Sequence, residues 1–174
     1  VGKLWHIFEI MSAPVKPIPD GFHSITPYLV VRGGAEAIEF YKKAFGAKER
    51  CRLPAPDGKG VGHAEIVIGN SIVMLADEYP QCGKRSPLSV GGTSVTVCLY
   101  VEDSDAVYKQ AVAAGAKEVQ PVTDKFYGDR SGCLTDPFGH DWMVMTHTED
   151  VPETEMKKRL EKMYAEMAAG KKPE

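Results

Sequence analysis

Two stretches of the chain alternate apolar and polar residues with period two. In "HSITPYLVV" (23–31), Ile25, Leu29 and Val31 fall on one side, and Ser24, Thr26 and Tyr28 on the other. "SVTVCLYV" (94–101) alternates more cleanly, with Val95, Val97, Leu99 and Val101 against Ser94, Thr96, Cys98 and Tyr100. This period predicts a strand whose two faces meet different environments. After each strand the period becomes helical. "AEAIEFYKKAFG" lines up Ala37, Ile38, Tyr41 and Phe45 and stops at Gly46. "SDAVYKQAVAAG" lines up Val107, Tyr108, Ala111 and Val112, stops at Gly115, and has Asp103 or Ser104 to cap its start. Three shorter strands follow each helix, at 48–53, 61–68 and 71–76, then 117–122, 130–135 and 141–147, with "PDGKG" and "DPFG" as turns.

The two halves repeat. A shift of 70 residues lays Gly62 on Gly132 and Gly69 on Gly139, and "GAKE" recurs at 46–49 and 115–118. The predicted fold is α+β: two βαβββ modules forming a cupped mixed sheet, followed by a C-terminal helix. The chain divides into an N-terminal extension (1–21), a first module (22–80), a Pro/Gly/Ser-rich linker (81–92), a second module (93–148), and a helix and tail (149–174). In the tail, Asp150 and Glu153 form a capping-box pattern with Pro152 in the first turn. Met156, Leu160, Met163, Tyr164 and Met167 make a stripe suited to packing on the body or on a partner subunit.

Composition narrows the classes. At 174 residues, 43% apolar and 26% charged, the chain is globular. A net charge of −3 argues against a nucleic-acid binder, which would usually show a basic face, while leaving room for a local basic patch. "VGKLWHIFEI" at 1–10 is too short for a membrane span and lacks the pattern of an export signal, so the cytoplasm is the expected compartment. Met11, before Ser-Ala-Pro, reads as a natural start. Residues 1–10 are then foreign or misassigned upstream sequence; the alternative to that reading is a genuine extra strand or docking segment. Cys51, Cys82, Cys98 and Cys133 form no CxxC pair and are read as free thiols, with a reactive thiol or soft metal ligand as the alternatives.

The apolar strand faces must cover the helices. The other faces carry Ser24, Thr26, Tyr28, His63, Glu65, Ser94, Thr96, Cys98 and Tyr100. Two such faces, curled toward one another, would enclose a pocket for a mid-sized organic molecule. His63 and Glu65, two apart on one strand, read either as a general base with its carboxylate or as a hydrogen-bonded rim pair. With Cys133 or Cys98 they could instead supply a displaced metal site. Arg130, in "YGDR", could anchor an anionic group or belong to a surface cluster with Asp129. Trp142 and Tyr28 could stack on a planar ligand, although Trp142 also suits packing under the sheet. His140 and His147 read as turn and edge residues.

Paired βαβββ modules, "VVRGGAEAIEFYKKAFGA" and "DPFGHDWMVM" together resemble the vicinal oxygen chelate superfamily, which includes glyoxalases, bleomycin-resistance proteins and ring-cleaving dioxygenases. "YGDRSGCLTDPFGHDW" (127–142) resembles its PhnB-like branch, and the likeness covers 22–147. It implies a cupped sheet, a homodimer and often a divalent metal held from the first and last strand of each module. By motif those positions are Thr26, Val73, Thr96 and Met143, none of which is His, Asp, Glu or Cys. Such a set cannot grip a hard or borderline divalent ion. The expectation is a protein that binds a small molecule without metal or other cofactor, through Thr26, Tyr28, Val73, Thr96, Cys98, Arg130 and Met143. The alternative is a lyase, isomerase or dioxygenase using a displaced metal or a His63/Glu65 acid–base pair. A third possibility is an interaction protein with a filled cup.

Overall fold

The computed structural model describes residues 15–170. The reading of Met11 as the start, and of residues 1–10, lies outside them. The first module runs β1 (Tyr28–Val31), α1 (Gly34–Phe45), β2 (Lys48–Pro54), β3 (Val61–Ile68) and β4 (Ser71–Asp77). After a short helix α2 (Pro87–Val90), the second runs β5 (Thr96–Tyr100), α3 (Ser104–Ala113), β6 (Lys117–Asp124), β7 (Asp129–Thr135) and β8 (Asp141–His147). The sheets are ordered β1-β4-β3-β2 and β5-β8-β7-β6. In each, the first strand pairs in parallel with the last and the remaining pairs are antiparallel. This is the α+β arrangement of two βαβββ units that the periodicity predicted.

The helix ends follow local chemistry. Gly46 takes φ 65°, which its missing Cβ permits, and its N–H closes α1 on the Tyr41 carbonyl. The Asp103 carboxylate accepts from the Ala106 N–H and caps α3, as expected.

The helix faces and the inner sheet faces fuse into one core that spans both modules. Ala64, Ile66, Leu75, Leu29 and Val31 pack under α1, and Leu134, Val144 and Trp142 belong to the same buried cluster. The fusion point is polar. Asp136 is 4% exposed and accepts from the Tyr41 hydroxyl (2.7 Å), the Trp142 Nε1–H (2.9 Å), and the N–H groups of Phe138 and His140. Burial, then the charge of Asp136 and their hydrogen bond, push the Tyr41 phenol well above its ordinary value. The Gln110 amide on α3 adds donors to the Lys43 and Ala44 carbonyls of α1.

Three local expectations are corrected. Ile25 and Val95 are 88% and 65% exposed, because β1 and β5 begin only at Tyr28 and Thr96 and the residues before them leave the sheet. The capping box at 150–153 does not form. Pro152 is the N-cap of α4 (Glu153–Ala168), without a side-chain cap, and Asp150 turns back to His147 at 3.0 Å. On the α4 stripe, Met156, Leu160 and Met163 are half-buried, whereas Tyr164 and Met167 are exposed. The linker is also tied down: Glu78 accepts from the Ser86 N–H and from the hydroxyls of Ser86 and Ser89, and pairs with Arg32. These bonds, the Ser89 one foremost, hold its carboxyl down at about 2.

Candidate functional site

On β3, Ala64, Ile66 and Ile68 point to the helix side, so His63 and Glu65 occupy the opposite, open face. A bulge between Glu49 and Cys51 on β2 shifts the register and brings Cys51 opposite Glu65. Glu65 is in turn paired with Met74 on β4, and Met74 with Tyr28 on β1. One ladder row therefore carries Cys51, Glu65, Met74 and Tyr28, with His63 beside it. His63 Nε2 lies 3.6 Å from Glu65 Oε1, too far for a hydrogen bond. Its Nδ1 lies 3.4 Å from the Tyr28 hydroxyl oxygen. Glu65 Oε2 is 3.4 Å from the Arg50 guanidinium, which rests over the Phe22 ring. One donor atom each from Cys51, His63 and Glu65 fall within 4.8 Å of one another.

The equivalent row of the second module is Cys98, Met143, Cys133 and Gln120. It keeps the thioether at the centre and holds thiols where the first holds a phenol and a carboxylate. Burial pushes the Cys133 thiol up, which favours its protonated form. Along the same face, the Tyr100 hydroxyl donates to Asp129 (2.9 Å), whose other oxygen meets His147 Nδ1 at 2.7 Å. His147 thus sits between Asp129 and Asp150. The bond to Asp129, then that to Asp150, raises the imidazole above its ordinary value.

Between β1 and β5, the edge strands of the two sheets, lies a groove of about 640 Å³. Pro27, Tyr28, Val90, Val95 and Val97 supply apolar walls, while Thr96, Cys98, Arg85 and His140 supply polar ones. His140 Nε2 reaches the Val30 carbonyl at 3.1 Å, bridging the modules at its floor. The Lys84 ammonium stands 4.8 Å from the centre of the Tyr28 ring.

Of the residues singled out from sequence, Tyr28, Thr96 and Cys98 line this groove, and Met143 lies on the open face beside Cys98. Thr26 precedes β1 and its hydroxyl donates to the His23 carbonyl. Val73 is displaced from the expected set: it is 4% exposed and packs in the helix-side core, because its neighbour Met74 is the residue paired with Tyr28. Arg130 is also on the other side of its strand. It makes a two-pronged bond to Asp105 on α3 and a further one to Asp124, so its guanidinium is already engaged. Trp142, 1% exposed, packs under the sheet. Sequence reading named Cys51 among the free thiols but did not set it beside His63 and Glu65, because a bulge breaks the alternation. It took His140 for a turn residue and missed Arg85, since only the approach of β1 to β5 brings these two together.

At the positions where the family resemblance would place a divalent ion, the structure offers Thr26, Met74, Thr96 and Met143. Two hydroxyls and two thioethers do not meet the donor needs of zinc, nickel, iron or manganese. The residues present do not fit that ion.

Comparison with known proteins agrees with this architecture. The family model described as Glyoxalase/Bleomycin resistance protein/Dioxygenase superfamily matches residues 21–144. The chain is 48% identical over 124 residues to the uncharacterized protein Mb0911c of Mycobacterium bovis, covering 70% of this chain and 81% of that one. It is similar to the solved structure of the Arabidopsis thaliana gene product AT5G48480, at 30% identity and TM-score 0.56, covering 74% of this chain and 99% of the other. TioX from Micromonospora sp. ML1 is 29% identical at TM-score 0.56, covering 71% and 97%. A PhnB protein from Bacillus cereus, 19% identical at TM-score 0.55 and covering 71% of this chain and 99% of that one, shares the fold. A family match across both modules, on a chain that folds as two βαβββ units, places this protein in the glyoxalase/bleomycin-resistance/dioxygenase superfamily.

Proposed function

We propose that the chain binds a small organic molecule in the groove between β1 and β5, with no metal at the family's four strand positions. The observation that carries this is the groove itself. Its volume of about 640 Å³ falls within the ~300–1,000 Å³ usual for ligand sites, and a few polar groups interrupt a mostly apolar wall. Tyr28 offers a ring face to a planar ligand, and Arg85 offers a cation to an acidic or carbonyl substituent. In this reading a second copy of the chain closes over the exposed rim of the groove at Ile25 and Val95 and over Tyr100 beside it, giving a homodimer. The free thiols suit a reducing, cytoplasmic setting.

The test is ligand-observed NMR with a library of planar aromatic fragments on wild type and on Cys98→Trp, whose indole would fill the groove. Fragments should bind wild type, and Cys98→Trp should reduce binding at least tenfold while the unfolding midpoint holds. Equal binding by both proteins, or no binding by wild type, would overturn the reading.

A second reading, general acid–base catalysis by His63 and Glu65, draws on the placement of His63 between the Tyr28 hydroxyl and the Glu65 carboxylate. It predicts that His63→Gln abolishes a turnover while groove binding persists.

A further inference from the structure

We infer that Cys51, His63 and Glu65 form a site for one zinc-class divalent cation, on the open face of the first module and apart from the family's metal positions. One thiol, one imidazole nitrogen and one carboxylate oxygen from two adjacent strands come within 4.8 Å of one another. A tetrahedral zinc with bonds of about 2.0–2.3 Å sets its donors about 3.3–3.8 Å apart. The His63 Nε2 to Glu65 Oε1 separation of 3.6 Å already meets this. The Cys51 thiol, within 4.8 Å of both, supplies the third donor from β2, the edge strand of the sheet.

The surroundings match what such a site needs. The three side chains are half-buried, so the donors are partly stripped of water yet reachable. Tyr28 engages Nδ1 of His63, which leaves Nε2 directed at the cluster. Arg50 takes the second oxygen of Glu65 and so orients the first. Sulfur, nitrogen and oxygen together favour zinc, cobalt(II) or nickel over magnesium or calcium. With three protein ligands the fourth position stays open to water or to a ligand atom, the pattern of a reactive zinc centre.

The bulge on β2 points the same way. Without the shift at Glu49/Cys51, strict alternation would not set the thiol opposite Glu65. The inference does not depend on the groove reading, since neither Cys51 nor Glu65 lines the groove.

Coordination has a proton balance. A neutral thiol gives up its proton as the sulfur–metal bond forms, so about one proton is released per ion bound near neutral pH.

The experiment strips the full chain with a chelator under reducing conditions and titrates it with Co²⁺ and then Zn²⁺. Expected are one cobalt per chain, a near-ultraviolet thiolate-to-cobalt absorption band, displacement of that band by zinc, and release of about one proton. Cys51→Ser should abolish the band. His63→Ala and Glu65→Gln should each weaken binding by at least tenfold, whereas Cys98→Ser and Cys133→Ser should leave the titration unchanged. Thermal midpoints of all variants report folding, and a fold-preserving Cys51→Ala provides a second test of the thiol. No saturable cobalt binding by folded wild type, or a band that survives in Cys51→Ser or Cys51→Ala, would overturn the assignment.

Discussion

The hydroxyl of Tyr41, on the helix of the first module, donates at 2.7 Å to the buried carboxylate of Asp136, in the turn before the last strand of the second. This bond locks the two repeats at the centre of a shared core, where Tyr41 also packs on Trp142 with ring centroids 5.6 Å apart. Tyr41→Phe keeps the packing and removes one of four donors to Asp136. The expected cost is about 1.5–3 kcal/mol, the range for hydrogen bonds to charged groups. Urea denaturation checks it: one cooperative transition should persist at a lower midpoint, because the core spans both modules. Two separate transitions would show that the modules unfold independently.

Arg130 looks like an anion anchor in sequence but is spent on Asp105. Arg130→Ala should leave fragment affinity in the groove unchanged. Stability should fall by no more than about 1 kcal/mol, since both partners retain contact with water. Parallel fragment titrations and denaturant curves test both halves of this statement.

His147 between Asp129 and Asp150 gives a pH dependence. Its imidazole is raised above the ordinary 6.5 in the folded chain, first by Asp129 and then by Asp150. The stabilisation is therefore fully present below about pH 6.5 and is lost as pH rises through the raised value. The His147 ring-proton NMR titration should have its midpoint above 6.5, and Asp150→Asn should lower it part of the way. The difference in unfolding midpoint between wild type and His147→Gln should shrink as pH rises through that value.

Glu78 behaves in the opposite sense. Its carboxyl is held at about 2 by Ser89, Ser86 and Arg32, so its contribution is present above the ordinary 4.5 and fades as pH falls toward 2. The carboxylate anchors the start of α2, and Pro87 and Val90 of that helix line the groove. Glu78→Gln should accelerate exchange of the Ser86 amide at neutral pH. It should also weaken fragment binding several-fold, and acidification toward pH 2 should do the same for wild type.

Much of the fold was legible because its signals are local. Period-two strands, amphipathic helices and the glycine cap at Gly46 follow from short-range chemistry, although α3 takes Ala114 as its C-cap, one residue before Gly115. The site was legible only in part. Counting from the turn glycines chose Val73, but Tyr28 to Met74 spans one residue more than Cys98 to Met143. With a side-chain period of two, one residue moves the choice to the other face. Cys51 was hidden by a bulge, which no alternation rule anticipates. Arg130 was misjudged because its partner, Asp105, comes from a helix 25 positions earlier, and tertiary packing alone joins them. His63 and Glu65 were placed on the correct face because β3 alternates without interruption between Ala64 and Ile68.

The most direct test of the central reading is a crystallographic soak of the protein with the same aromatic fragments in the presence of added zinc. The account predicts electron density for fragments between β1 and β5, in contact with Tyr28 and Cys98 and with no ion at Thr26, Met74, Thr96 or Met143. Fragments bound only elsewhere, or an ion held by those four side chains, would contradict it.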